Sequence, residues 1–165
     1  MRIKILVSSC LLGNPVRYNG TAGKLDKNLQ SYLEEECDLY ALCPECEGGL
    51  DTPRQPAEIC EGTGDDVLGG TACVKTCLDR NVTDSFILGA QRCVEFCKRE
   101  EISICILKER SPSCGSSTIY DGTFTGRLIQ GRGVTTAMLV KNNITVFSDE
   151  NINELIQHLK QNETV

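Results

Sequence analysis

Ile3-Lys4-Ile5-Leu6-Val7-Ser8-Ser9 is the stretch on which the fold turns. A short apolar run of this kind reads as a buried strand. Working outward, Asp26 is placed to cap a helix from Lys27 to about Glu36 with Leu29, Tyr32 and Leu33 on one face. Asp38–Leu42 is a second short apolar run, and Ile102–Leu107 is a third, almost wholly apolar. Between them, residues 44–70 carry Gly and Pro without a sustained period and read as one long functional loop. Ala72–Leu78 reads as a short edge strand. The spacing of Phe86, Ile87, Ala90, Cys93, Val94 and Cys97 predicts a helix from Thr83, its expected cap, to about Lys98. Asp121-Gly122 marks a hairpin within 116–128. A helix over 133–141, a strand over 144–147 and an amphipathic helix from Asn151 complete the alternation. Strands alternating with helices predict an α/β fold: a single three-layer domain, residues 1–165, with a mainly parallel sheet between helices. Its ligand site is expected at the carboxyl ends of the strands.

Composition narrows the function. The chain has 165 residues, 40% apolar and 24% charged, which describes an ordinary globular protein. A net charge of −6 argues against broad electrostatic binding to nucleic acid or anionic membrane, both of which need a Lys/Arg surplus. No run approaches the roughly 20 apolar residues of a membrane span. Leu6-Val7-Ser8-Ser9-Cys10 superficially resembles a lipoprotein cleavage site, but the apolar stretch before it is far shorter than the roughly 7–15 residues of a signal core. The single histidine, His158, excludes a multi-histidine metal site.

The 11 cysteines are the anomaly. An odd number leaves at least one thiol unpaired within the chain, and their share falls below the roughly 8–10% of short secreted disulfide scaffolds. The expectation is a reducing cytoplasm, with the cysteines as thiols or metal ligands. Cys10 follows the first expected strand, Cys43 the second, and Cys114 lies shortly past the third, each within a loop rich in Gly, Pro or Ser. Three thiolates at one sheet edge suit an iron–sulfur cluster with one iron free of protein ligand; the alternative is that they are buried small hydrophobes. Cys37, Cys60, Cys73, Cys77, Cys93, Cys97 and Cys105 read as packing or incidental thiols. Cys43-Pro44-Glu45-Cys46 also admits a thiol-redox motif or half of a zinc site completed by Cys73 and Cys77. The redox reading wants a helix starting at Cys43, and Gly48-Gly49 argue that none starts there. Glu45, beside Cys43 and Cys46, has the chemistry of a general acid/base or of a solvated loop residue. Ser111 and Ser113 flank Pro112 before Cys114, and Arg17 with Tyr18 offers a cation and a ring for gripping a planar polar substrate, or else only a turn.

Six blocks then carry a resemblance that spans essentially the whole chain. They are Ser9-Cys10-Leu11-Leu12-Gly13, Val16-Arg17-Tyr18-Asn19-Gly20, Cys43-Pro44-Glu45 with Gly48-Gly49-Leu50, Thr52-Pro53-Arg54 with Pro56 and Glu58-Ile59, Leu107-Lys108 with Ser111-Pro112-Ser113-Cys114-Gly115, and Tyr120-Asp121-Gly122-Thr123-Phe124. In this order they resemble the 2-thiouracil desulfurase family. The resemblance implies a [4Fe-4S] cluster held by Cys10, Cys43 and Cys114 with one iron not bound by protein. It further implies Glu45 as catalytic acid/base assisted by a serine, Ser111 in preference to Ser113. The implied substrate is a small-molecule thiolated pyrimidine, desulfurated without redox change. Cys46 stands where an apolar residue is usual in the family, and a fourth thiol there either closes the open iron or points away.

Overall fold

In the computed structural model, which describes residues 2–162, the opening stretch is strand β1 (Ile3–Ser8), the second position in a four-stranded parallel sheet. The expected domain of residues 1–165 reaches past the described residues at both ends. Strand β2 (Cys37–Leu42) runs along one side of β1, while β5 (Ile104–Leu107) and then β8 (Thr145–Ser148) follow on the other. The sheet order is therefore β2-β1-β5-β8.

The alternation within β1 builds the layers. Ile5 and Val7 pack against Leu33 of α1 (Lys27–Glu36) and Leu155 and Leu159 of α6 (Ile152–Asn162). Leu6 packs to the other side, against Val94 and Cys97 of α4 (Thr83–Glu100) and Leu139 of α5 (Val134–Lys141). Helices on both faces of a parallel sheet make the expected three-layer α/β arrangement. Because the chain leaves β1 for β2 on one side and later returns to β5 on the other, the connections diverge above the carboxyl end of β1. That divergence opens the crevice in which such sheets bind ligands.

Asp26 caps α1 as expected, its carboxylate accepting from the amides of Asn28 and Leu29. Thr83 does not cap α4: Val82 occupies that position and Thr83 is the first helical residue. The Thr83 hydroxyl instead accepts from the amide of Val74, tying the helix start to β4 (Cys73–Thr76).

The largest correction concerns 44–70, which is not one long loop. It contains α2 (Pro44–Glu47), β3 (Ala57–Cys60) and α3 (Gly64–Leu68). Each is one turn or one short strand, too brief for a period to emerge. They are stabilised by tertiary pairing: β3 lies antiparallel to β4, with a separate apolar cluster of Ile59, Val67, Val74, Phe86 and Val134 beneath. The expected hairpin is present as β6 (Thr118–Tyr120) and β7 (Leu128–Gln130).

Candidate active site

The three loop cysteines arrive at one cavity from three separate elements. Cys10 sits in a 3-10 turn, Ser9–Leu12, at the end of β1, and Gly13 closes the turn with a positive φ of 94°. Cys43 is the N-cap of α2. This single helical turn is held because it presses against α4 where neither helix has a side chain. A Cβ on Gly48 would collide with the carbonyl of Ser85, and one on Gly89 with that of Pro44. Cys114 lies in the loop after β5, its amide donating to Ser111 Oγ at 3.1 Å. All three thiols, with Glu45 and Ser111, line a cavity of about 490 Å³ that opens beyond the strand ends.

Burial dominates the electrostatics of the thiols. It raises the pKa of Cys10, against the opposing pull of Arg17. It pushes Cys43 up to about 12, with Cys114, Cys46 and Glu45 adding to the effect. Cys114 is likewise pushed up to about 12 by burial, although its Sγ accepts hydrogen bonds from Ser113 and Ser8, each at 3.6 Å. Thiols held neutral by burial become thiolates when a bound cation supplies the opposing charge. Three soft donors with hydroxyls already aimed at one sulfur fit an iron–sulfur group. Among the described residues, no three His, Cys, Asp or Glu side chains close on a point in the way a single metal ion requires.

Those observations bear on the other cysteine readings. A helix does start at Cys43, contrary to expectation, because tertiary packing rather than helix propensity holds it. Its thiol is nevertheless driven up, whereas a thioredoxin-like nucleophile needs it down. Cys46, Cys73 and Cys77 do not assemble a metal site with Cys43. Cys46 turns to Thr52, Sγ to Oγ1 3.6 Å, and takes no part in the cavity wall. Cys37, Cys93, Cys97 and Cys105 are buried as expected of packing thiols. Cys77 is exposed and Cys60 and Cys73 are half-buried, because the β3–β4 pair covers only one of its faces.

Glu45 is held at both carboxylate oxygens. Oε1 receives Arg54 Nε at 3.1 Å, and Oε2 receives the hydroxyl of Ser113 at 3.0 Å. Ser113 Oγ is in turn 2.9 Å from Ser111 Oγ. The two serines therefore divide the work: Ser111 reaches the cavity wall, while Ser113 stands between it and the carboxylate. Arg17 and Tyr18 line the cavity.

Three supporting residues escaped the reading of the sequence for roles of their own. Arg54 donates to Glu45, to Val16 O at 3.0 Å and to Asp51 O at 3.1 Å, and so fastens the Arg17-Tyr18 loop to the Glu45 carboxylate. Glu109 accepts the amides of Ser116, Ser117 and Thr118 at 2.9–3.1 Å and fixes the loop that carries Cys114. Glu58 accepts the amides of Gly122 and Phe124 at the hairpin tip. A cation set between Pro53 and Pro56 was the available hint for Arg54, and a charge directly after the apolar β5 region was the hint for Glu109.

The chain is 45% identical over 152 residues to the uncharacterized protein YbbK of Bacillus subtilis (strain 168), covering 92% of this chain and 99% of that one. Its fold matches the solved structure of the [4Fe-4S]-dependent thiouracil desulfidase TudS with a TM-score of 0.86 at 41% identity, over 97% of this chain and 99% of that one. The family profile described as 2-thiouracil desulfurase matches residues 5–151. This chain belongs to the 2-thiouracil desulfurase family.

Proposed function

We propose that this protein is a desulfidase acting, as one domain, on a thiolated pyrimidine of the 2- or 4-thiouracil type. It converts C=S to C=O with water and releases hydrosulfide. The observation that carries this reading is the shared cavity: Cys10, Cys43 and Cys114, from three separate loops, line it together with Glu45. The family membership and the likeness to TudS support the same activity.

Cys10, Cys43 and Cys114 would hold a [4Fe-4S] cluster with one iron not bound by protein. When bound, it supplies a soft, open Lewis-acid position able to polarise a thiocarbonyl. The rest is done by the chain's own side chains. Glu45 takes a proton from the attacking water, and Arg54 and Ser113 fix the direction in which its oxygens point. Ser111, on the wall and hydrogen-bonded to Ser113, passes a proton between that carboxylate and the reacting centre. Arg17 offers donors to a ring carbonyl, and Tyr18 a flat apolar face. Water adds its oxygen to the ring carbon, the C–S bond breaks, and sulfur leaves as hydrosulfide with no net electron transfer. Eleven cysteines outside any disulfide fit a reducing cytoplasm. No described helix is long and apolar enough to cross a membrane.

The test is anaerobic purification followed by iron and sulfide assays. The protein is expected to be brown and to release sulfide from 2- or 4-thiouracil. Cys10→Ala, Cys43→Ala and Cys114→Ala should each abolish the visible absorbance. A colourless, iron-free protein after attempted reconstitution overturns the reading.

A further inference from the structure

The cavity wall carries three carboxylates: Glu45, Glu58 and Glu109. Two have both oxygens engaged. Arg54 and Ser113 occupy Glu45, while the amides of residues 116–118 and the hydroxyl of Ser116 occupy Glu109. Glu58 differs. It is only 8% exposed, and Oε2 alone takes the amides of Gly122, at 2.9 Å, and Phe124, at 3.1 Å. Among the described residues, nothing donates to Oε1. Lys75, its partner across the β3–β4 ladder, is turned instead to Asp79 at 2.9 Å.

The tether also fixes where the Glu58 side chain stands. Gly122 has φ +90° and no room for a Cβ, which would collide with the carbonyl of Ile59. The hairpin tip therefore packs directly on β3, and brings Tyr120 and Phe124 into the same wall. The remaining charged groups of the wall, Arg17, Arg54, Lys108 and Arg110, can only donate hydrogen bonds. A pyrimidine ring carries both kinds of partner, carbonyl or thiocarbonyl acceptors and N–H donors. The donors need an acceptor, and a carboxylate oxygen without a protein donor, in a wall with aromatic neighbours, is suited to that task.

Building on the desulfidase reading, we infer that Glu58 is a specificity-determining residue whose Oε1 accepts a ring N–H of the substrate. The substrate class is then narrowed to thiolated heterocycles that keep this nitrogen unsubstituted. A hydrogen bond to a charged acceptor corresponds to a factor of roughly 10–150 in affinity, and an N-methyl group removes the donor while adding bulk at the same point.

The experiment measures kcat and KM of the cluster-loaded enzyme for 4-thiouracil and for its N1-methyl and N3-methyl isomers, in the wild type and in Glu58→Gln. The amide keeps one oxygen for the hairpin amides and turns an NH2 toward the cavity. In the wild type, one methyl isomer should lose roughly 10–150-fold in kcat/KM, mostly through KM. In Glu58→Gln the parent compound should weaken by a similar factor, and the isomer's penalty should shrink to within about threefold, the signature of coupling between the two groups. A residue that only braces the hairpin would lower activity toward all three compounds alike. Wild-type enzyme indifferent to both methyl groups, or Glu58→Gln retaining the full penalty, overturns the assignment of Glu58 alone. Indifference of the wild type to both methyl groups overturns the assignment even if the variant does not fold. A wild type that releases sulfide from neither 2- nor 4-thiouracil overturns the desulfidase reading, and this assignment with it.

Discussion

Replacing Glu109 tests whether the Cys114 loop is shaped by one buried carboxylate. The side chain is 3% exposed, and Oε1 gathers the amides of Ser116 (2.9 Å), Ser117 (3.0 Å) and Thr118 (3.1 Å), while Oε2 takes the Ser116 hydroxyl. Glu109→Ala strands these four donors. Each buried unsatisfied group costs about 1–3 kcal/mol, and water entering from the adjacent cavity recovers part of it, so the expected loss is about 3–5 kcal/mol. Glu109→Gln keeps an oxygen for the three amides and lets the Ser116 hydroxyl reverse. Only the charge assistance goes, at about 1–2 kcal/mol. For a chain of this size these losses correspond to about 6–20 °C and about 2–8 °C in Tm. Thermal and urea unfolding of the cluster-free protein provide the measurement, with iron per chain after reconstitution as the functional readout. Iron should fall in the alanine variant and hold in the glutamine variant. An alanine loss below about 1 kcal/mol, or equal losses in both variants, would refute the reasoning.

The same residue has a pH signature. Burial acts to raise its pKa, but the Ser116 hydroxyl and the Ser117 and Thr118 amides outweigh it, leaving the carboxyl below its ordinary value. A folded pKa lowered in this way contributes stability above the unfolded value, about 4.3, and that stability is lost as pH falls through the folded pKa. The wild type should therefore lose stability more steeply than Glu109→Gln below about pH 5.

Two further outcomes are expected. Arg54→Ala leaves Glu45 without its cation and Val16 O without its guanidinium donor. With side chains 9% and 15% exposed, the pair sits at the low end of the buried range, so the cost is about 3 kcal/mol in urea unfolding. Its kcat should fall more than its KM rises, and Arg54→Lys, which lacks the planar fork, should restore little. Cys46→Val should retain full iron and kcat within about twofold, because the Cys46 thiol faces Thr52 and lies off the cavity wall. Loss of iron in that variant would make Cys46 a ligand.

The sequence by itself determined the sheet. Each of its four strands is a local apolar run, and their alternation with the helices α1, α4, α5 and α6 is enough to predict parallel pairing with a site at the carboxyl ends. It also singled out Cys10, Cys43, Cys114, Glu45 and the two serines, because strand-end loops are where chemistry collects in such folds. What lies between residues 44 and 70 was decided only in three dimensions. The turn α2 is held by the two glycines that let it touch α4, and β3, the partner of the expected strand β4, is too short to declare itself through periodicity. The direction of each side chain was also beyond reach. Cys43 and Cys46 are three residues apart, yet one enters the cavity and the other turns to Thr52. Arg54, Glu58 and Glu109 act on groups 9, 64 and 7 residues away. Sequence carries propensity and pattern over a few neighbours. A carboxylate's choice of partner depends on which distant amides the fold delivers within about 3 Å of it.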